Sequence, residues 1–428
     1  MSSKPSLLLI EPLCFYPPLA GSSMRYYHLA RWLAPYFQIT LVAPPCREPI
    51  PRVNYLPSYE ELGIEVVLAD RDRRLRHRVR RKIKYAIKSL RRHVVPANSQ
   101  VEALSHDDLH QAIKQAIQGR RFDFTVLSTT FLANIVGWLP RAQRGITVLN
   151  TQNVESDLWN QWWRETPAGR LREERRGDWQ ALVRYERRWL SLQDGIVSCS
   201  PVDDAWVAVS FPTVPRAMIP NGVDYSLYEP HPDGLEADTA LFIGYLSSSP
   251  NEQGVHWFCR DILPAIVREV PGFRLLVVGK DPPASVQQLA GPHVEIVGFV
   301  EHTKDILRRA CIEVVPLIQG GGIRSKILEA FAAGKAVVST TKGCEGLAVE
   351  HERSILIADE PADFAAQVVR LLQDDTLRRR LGEAGRQLVE QSYDWKVMAK
   401  RFRDFLIELN ERRQRSDSSE ARVTRREA

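Results

Sequence analysis

The sequence predicts an α/β protein of two doubly wound, Rossmann-like domains that face each other across a cleft. Short apolar runs alternate with helical patterns along the chain, as in parallel sheets wrapped by helices. One Pro- and Gly-rich stretch, Tyr228–Asp238, interrupts the series. The 428 residues, 44% of them apolar, suffice for two cores. Because such sheets bind ligands beyond the carboxyl ends of their strands, we expect the site between the domains.

The apolar runs assign each predicted strand to a domain. The first domain, residues 1–225, is expected to contain strands at Ser6–Glu11, Gln38–Ala43, Glu65–Leu68, Phe124–Leu127, Thr147–Asn150 and Gly195–Ser198. After a linker at 226–238, the second domain, 239–392, is expected to contain strands at Ala240–Ile243, Phe273–Val278, Val294–Val297, Glu313–Leu317 and Ala336–Thr340. A helix over 393–412 is expected to pack back towards the first domain. The Ser-, Arg- and Glu-rich residues 413–428 are expected to be disordered.

Positive charge is concentrated in residues 71–92, which hold twelve Arg or Lys and one acid. The chain as a whole has a formal net charge of +6, so the remainder is net acidic. A nucleic-acid-binding protein usually spreads its basic residues over a domain face, so no nucleic-acid partner is expected.

The basic segment also carries an apolar stripe: Leu75, Val79, Ile83 and Ile87 recur every four residues. A helix of this kind fits an anionic membrane surface, and the alternative is a surface helix docked on the first domain. No apolar run approaches the ~18 residues that cross a bilayer, and the amino terminus lacks a signal-peptide core. We therefore expect a cytoplasmic protein, peripheral at the inner face of the membrane if the stripe binds lipid.

No metal site is expected. The six cysteines are scattered and form no C-x-x-C pair. The short Asp70-Arg71-Asp72 string, which resembles a metal-binding motif, is flanked by further arginines that would repel a divalent cation.

The segment Val315–Phe331 points to a phosphate. A predicted strand ends, three glycines (Gly320–Gly322) follow, and a helix opens with Arg324 and Lys326 in its first turn. Consecutive glycines let backbone N–H groups approach a ligand closely, and a helix amino terminus attracts anions. Two cations there oppose the helix dipole unless an anion lies between them. Glu329, about one turn deeper, could accept ribose hydroxyls.

Other motifs occur along the chain in a set order. They are Pro17-Pro18 with Gly21 and Arg25, Asn153-Val154-Glu155, Ile219–Asp224, Phe242–Leu246 with Pro250-Asn251, Val277–Gly279, Val297–Val300, and Val337–Thr340 with Gly343 and Glu345–Leu347. Together with the glycine segment, they make the chain resemble the GT-B glycosyltransferases of family 4, the retaining, nucleotide-sugar-dependent group. The resemblance extends to about residue 412.

This resemblance implies transfer of a sugar from a UDP- or GDP-sugar to a glycan or lipid-linked glycan, with neither cofactor nor protein-bound metal. It implies that Arg324 and Lys326 meet the departing diphosphate as the catalytic cations. The implied donor-binding residues are Gly244, Gly298, Phe299, Gly320, Gly321, Gly322, Ile323 and Glu329. The implied acceptor or sugar side comprises Gly21, Ser22, Arg25, Gln152, Asn153 and Glu155.

The sequence departs from the family pattern at three places. Gly321 stands where the family often has a glutamate, Gln152 stands where a histidine is common, and Tyr245 to Gly254 lacks the usual basic pair. Phosphate binding would then fall to Arg324 and Lys326. Two alternatives stay open: a catalytically weak or inactive subunit that binds nucleotide sugar or acts as a scaffold, and a sugar-nucleotide epimerase, which shares the fold.

Overall fold

A computed structural model describes residues 4–12, 22–44, 57–69, 107–230, 236–320 and 322–427. The chain divides into two compact units, unit 1 with Met1–Ile219 and Ala399–Ala428, and unit 2 with Pro220–Met398. Several residues singled out by the sequence lie outside the described residues, namely Gly21, Gly321, Leu75, Val79, Ile83 and Ile87.

Unit 1 is built on a seven-stranded sheet. Its strands are β1 (Ser6–Ile10), β2 (Gln38–Ala43), β3 (Glu65–Leu68), β4 (Phe124–Leu127), β5 (Ile146–Asn150), β6 (Gly195–Ser198) and β7 (Arg216–Met218). Its helices, in the same part of the chain, are α1 (Ser22–Leu33), α2 (Asp107–Ile117), a 3₁₀ helix (Thr130–Gly137), α3 (Arg141–Arg144), α4 (Glu155–Glu165), α5 (Arg170–Leu190) and α6 (Pro201–Ser210).

The strand order of this sheet is β3-β2-β1-β4-β5-β6-β7, and every pair is parallel. β4, β5 and β6 are buried along their whole length, which explains their continuous apolar runs. β7 was not predicted because this edge strand is partly exposed and has no such run. Chain order reverses between β1 and β4, which is the switch point of a doubly wound sheet.

Unit 2 is also built on a parallel sheet, here of six strands. They are β8 (Thr239–Ile243), β9 (Arg274–Val278), β10 (Val294–Gly298), β11 (Ile312–Val315), β12 (Ala336–Ser339) and β13 (Leu356–Ile357). Its helices are a 3₁₀ helix (Tyr225–Leu227), α7 (Ser249–Trp257), a π-helical segment (Phe258–Ile262), α8 (Leu263–Glu269), α9 (Ala284–Gln287), α10 (Thr303–Arg309), α11 (Ser325–Ala332), α12 (Pro361–Gln373) and α13 (Asp375–Ser392).

The second sheet has the order β10-β9-β8-β11-β12-β13, again all parallel. Its switch point lies between β8 and β11. The prediction of two doubly wound, Rossmann-like sheets is confirmed, and the cleft between the domains stays a prediction.

The last helix, α14 (Trp395–Glu427), begins in unit 2 and continues in unit 1. In unit 1 it packs on β6 so closely that a Cβ added to Gly195 would lie 2.7 Å from Leu409 Cδ1. The expectation of a disordered tail at 413–428 is wrong for residues 413–427, which continue the helix. The pair Arg415–Glu411, four residues apart, supports helical structure at this point.

The chain enters unit 2 at Pro220, ahead of the predicted linker at 226–238. The reason is local pairing: Val223 N donates to Tyr393 O at 2.9 Å, and Trp395 N donates to Val223 O at 3.3 Å. These bonds tie the residues after the first domain's last strand to the segment before α14.

Candidate functional site

Two loops leave the same edge of the second sheet at its switch point. One follows β8 and begins with Gly244, and the other connects β11 to α11 and is called the glycine loop (residues 316–324). β8 and β11 are neighbours, with Ile312 opposite Ala240. Because parallel strands present their carboxyl ends together, both loops border one site.

The glycine loop depends on glycine at two positions. Gly320 has φ +104° and Gly322 has φ +76°, a region that other residues rarely adopt. A Cβ at Gly320 would also lie 3.1 Å from Arg324 Nη2, so the bare backbone makes room for the guanidinium.

Lys326, at the start of α11, is 9% exposed and held by two neighbours. Its Nζ donates to Asn251 Oδ1 at 2.9 Å and lies 4.1 Å from the centroid of the Phe242 ring. Burial lowers the pKa of Lys326 to about 7, against the attraction of Glu313 and Glu329. The site therefore holds a lysine poised between its charged and neutral forms.

Arg324 is the residue that precedes α11, with an extended backbone. Burial lowers the pKa of its guanidinium, and the negative charge of Glu345 opposes that effect. The half-buried Arg324 and the buried Lys326 thus bring two cations to one helix terminus, where an anion would stabilise both.

Glu329 lies three residues beyond Lys326 on α11. Burial raises the pKa of Glu329, while hydrogen bonds from the side chains of Thr303 and Tyr228 oppose the rise. Tyr228 and Thr303 are themselves 3.1 Å apart, from Oη to Oγ1. Oε2 of Glu329 is buried and has no hydrogen-bond partner within the part of the chain that the structure describes.

The other expected donor-binding residues lie on the same unit. Gly298 ends β10 with φ +81°, and Phe299 after it is 60% exposed. Ile323 is a buried residue of the glycine loop itself. A Cβ at Gly244 would lie 2.8 Å from Asn251 Cγ, so glycine lets Asn251 pack against the loop after β8.

In unit 1, the side chain of Arg25 in α1 is fully buried. Its Nε and Nη2 donate to Asn150 Oδ1 at 3.1 and 2.7 Å, and Nη1 donates to Ile219 O at 2.8 Å. These bonds join α1 to the end of β5. Ser22 is the first residue of α1 and follows an undescribed segment.

The loop after β5 brings Gln152, Asn153 and Glu155 together. The carbonyl of Gln152 accepts from Cys199 Sγ at 2.8 Å, and its side chain hydrogen-bonds to Tyr26. Burial raises the pKa of Glu155 to about 7, and the nearby charge of Glu186 adds to the rise, whereas a hydrogen bond with Asn153 opposes it.

Sequence reasoning missed four groups. Asn251 and Phe242 had been seen as motif residues without a role. Glu313, in β11, and Glu11, directly after β1, are almost fully buried acids. For Glu313 and Glu11, the position of an acid inside or at the end of an apolar run was the signal that could have identified them.

Among the described residues, no group of three or more His, Cys, Asp or Glu side chains could hold a metal ion. No helix in this part of the chain combines the length and apolar character needed to cross a membrane.

Comparison with known proteins gives matches in sequence and in structure. Residues 237–374 match the family described as Glycosyl transferases group 1. A phosphatidyl-myo-inositol mannosyltransferase of Mycobacterium leprae is 30% identical over 192 residues, which cover 42% of this chain and 50% of the relative. The chain spans half or less of the length of the first curated relatives that it matches.

Two solved structures share the fold over nearly the whole chain. Sucrose-phosphate synthase from Thermosynechococcus elongatus has a TM-score of 0.66 at 18% identity, covering 95% of this chain and 99% of that one. Anabaena HepE in complex with UDP and glucose has a TM-score of 0.61 at 14% identity, covering 94% and 99%. The family resemblance and the two-domain fold predicted from the sequence are confirmed.

Proposed function

Because residues 237–374 match the group 1 glycosyltransferases, we propose that the protein transfers a sugar from a nucleotide-sugar donor to a glycan or lipid-linked glycan acceptor. The observation that carries the proposal is the convergence of Arg324, Lys326 and the glycine loop at the switch point of the second sheet. Two cations at a helix amino terminus beside a glycine loop favour a diphosphate.

Sugar transfer requires the nucleoside diphosphate to leave with growing negative charge. Arg324 and Lys326 would stabilise that charge, and they need little reorganisation because Lys326 is already held by Asn251 and Phe242. An approaching diphosphate raises the pKa of Lys326 above its value of about 7, because an opposite charge favours the ammonium form. The donor thus strengthens the cation that holds it.

The finer features of the reaction follow from the resemblance to family 4. It supports transfer with retention, in which the acceptor hydroxyl attacks the face that the diphosphate vacates and a leaving-group oxygen takes its proton. We assign Glu329 to the ribose and Gly298 with Phe299 to the base. The UDP of the HepE complex supports a UDP-sugar donor, with a GDP-sugar as the alternative. The name of the mycobacterial relative supports a lipid-linked acceptor.

The test is release of nucleoside diphosphate from UDP- and GDP-sugars, chosen first by thermal shift. A donor at about 100 times its Kd stabilises the folded chain by about 2.7 kcal/mol. Arg324→Gln with Lys326→Gln should reduce turnover more than affinity for the nucleoside, since leaving-group charge peaks in the transition state. The control is Arg353→Gln with Arg370→Gln, which removes two exposed cations of the same unit. Normal turnover by the first double variant would contradict the proposal.

The alternative of a nucleotide-sugar-binding or scaffold subunit rests on Gly321 and Gln152, at positions where the family often has an acid and a histidine. The same assay separates the two functions. A transferase hydrolyses some donor without acceptor, whereas a binding subunit shows a thermal shift and releases no diphosphate.

A further inference from the structure

A third loop leaves the second sheet beside the glycine loop. It follows β12 and is called the β12 loop (residues 340–347). β12 pairs in parallel with β11, and Val315 lies opposite Ser339, so the last residues of both strands are side by side. The glycine loop and the β12 loop therefore begin at the same level of the carboxyl edge, and both border the site described above.

Hydrogen bonds attach the β12 loop to the glycine loop. Thr340 Oγ1 donates to Leu317 O at 2.5 Å, and Thr340 N donates to Val315 O at 3.3 Å. Gly343 N donates back to Thr340 Oγ1 at 2.8 Å. A Cβ at Gly343 would lie 2.7 Å from Val315 O, so glycine lets this turn lie directly against the end of β11. The two loops are therefore in direct contact.

The β12 loop is also held on its other side. Thr341 donates from N and from Oγ1 to the two carboxylate oxygens of Asp359, at 2.8 and 2.7 Å. Directly after the loop, Ala348 N donates to Tyr393 Oη at 2.8 Å. The loop is thus anchored near both ends, and a rigid support of this kind is what precise recognition of a ligand requires.

Between these anchors the β12 loop carries an ion pair. Lys342 Nζ lies 2.6 Å from Glu345 Oε2, and the two side chains are 38% and 36% exposed. The carboxylate of Glu345 is therefore both oriented by Lys342 and accessible from solvent. The negative charge of Glu345 also raises the pKa of Arg324 against the effect of burial, which agrees with a position of Glu345 near the start of α11.

The β12 loop supplies a chemical group that its neighbours at this edge lack. The glycine loop and the residues that follow β8, 244–248, contain neither Asp nor Glu, whereas the β12 loop contains Glu345. A carboxylate beside an ammonium group suits a sugar, because the carboxylate accepts a hydrogen bond from one hydroxyl while the ammonium donates to another.

We propose that Glu345 recognises the sugar of the nucleotide-sugar donor by accepting hydrogen bonds from its hydroxyl groups, with Lys342 as the positioning residue. The inference rests on the proposed function, because it takes the diphosphate to lie at Arg324 and Lys326. The sugar is bonded to that diphosphate, so it lies next to the loops that surround the two cations. The β12 loop would then determine which sugar the site accepts.

The predicted consequence is a loss that affects only ligands with a sugar on the diphosphate. Glu345→Gln keeps the size of the side chain but removes its charge. For hydrolysis of the preferred donor, kcat/KM should fall about tenfold, the smaller effect expected when a hydrogen bond to a charged group is lost. Affinity for UDP and GDP should not fall, because these ligands lack the sugar and because the loss of an acid does not weaken anion binding.

The experiment uses the full chain and four donors: UDP-glucose, UDP-galactose, GDP-mannose and GDP-glucose. Thermal shift selects the preferred donor, release of nucleoside diphosphate gives kcat/KM, and titration calorimetry gives the affinity for UDP and GDP. The matched control is Glu350→Gln. It breaks the exposed pair of Glu350 with Arg353, which has the same spacing of three residues in the same unit, and it should behave like the wild type.

Glu345→Asp keeps the charge but withdraws it by one methylene, so a smaller loss of the same kind is expected. This variant provides the test if the Gln protein does not fold. An unchanged kcat/KM, or a loss that UDP and GDP share, would overturn the role of Glu345 while leaving the proposed function intact. Wild-type protein that releases no nucleoside diphosphate from any of the four donors would instead overturn the proposed function, and this inference with it.

Discussion

Lys326 and Asn251, 75 positions apart in the chain, are joined by a hydrogen bond of 2.9 Å. Asn251 also donates through Nδ2 to Tyr245 O at 3.0 Å, so one amide links α11 to the loop that follows β8. The stretch from Tyr245 to Gly254 contains neither Arg nor Lys. The cation next to this stretch is instead Lys326 of α11, which is hydrogen-bonded to Asn251.

Asn251→Asp places a carboxylate against Lys326 at unchanged size. The new charge is expected to hold the ammonium ion and to repel a diphosphate, so affinity for UDP or GDP should fall by about fivefold or more, about 1 kcal/mol. Gln253→Glu adds the same charge to an exposed position of the same helix and serves as the control. Calorimetry that gives both variants equal affinity would contradict this arrangement.

Glu329→Ala should weaken nucleoside diphosphate binding by about 1.5 to 3 kcal/mol, the range for hydrogen bonds to a charged group. The fold should persist, which circular dichroism can check. Thr303→Val removes one internal partner of the carboxylate but keeps the carboxylate, so its effect should be smaller. Unchanged affinity of the Ala variant would mean that the ribose binds elsewhere.

Glu11 should make unit 1 sensitive to alkaline pH. Burial raises the pKa of Glu11 to about 8, so the folded chain holds this proton more tightly than the unfolded chain. The stabilisation is complete below the unfolded pKa of about 4.3 and is lost as pH rises to about 8. Urea unfolding should therefore show a smaller drop between pH 6 and pH 8.5 for Glu11→Gln than for the wild type. Glu408→Gln, at an exposed carboxylate of the same unit, should behave like the wild type.

The segment 71–92 lies outside the described residues, and its attachment to lipid stays a prediction. Liposome co-sedimentation should show binding to anionic vesicles at low salt, weaker binding at high salt and little binding to neutral vesicles. The reason is that surface electrostatics decay within a Debye length of about 8 Å at physiological ionic strength. Ile83→Asp with Ile87→Asp should abolish binding by interrupting the apolar stripe. Equal sedimentation in all conditions would leave the segment as an ordinary surface element.

The sequence by itself determined the two series of strands and the position of the glycine loop. A buried parallel strand must be a short apolar run, and glycines before a helix with cations in its first turn are visible without any partner. The resemblance then named the family. The edge strands β7 and β13 were not predicted. They have three and two residues respectively and are partly exposed, so they show no apolar run. The helical structure of residues 413–427 was not predicted, because helix formation there depends on ion pairs such as Arg415–Glu411 and not on apolar periodicity.

Only the tertiary structure decided which charges act on one another. The sequence gives no indication that Lys326 meets Asn251 or that Arg25 is buried against Asn150. Such relationships depend on which loops leave the same edge of a sheet and on how deeply each side chain is removed from water. Burial then sets the protonation of these groups, because a charge inside a packed unit is stabilised mainly by its neighbours.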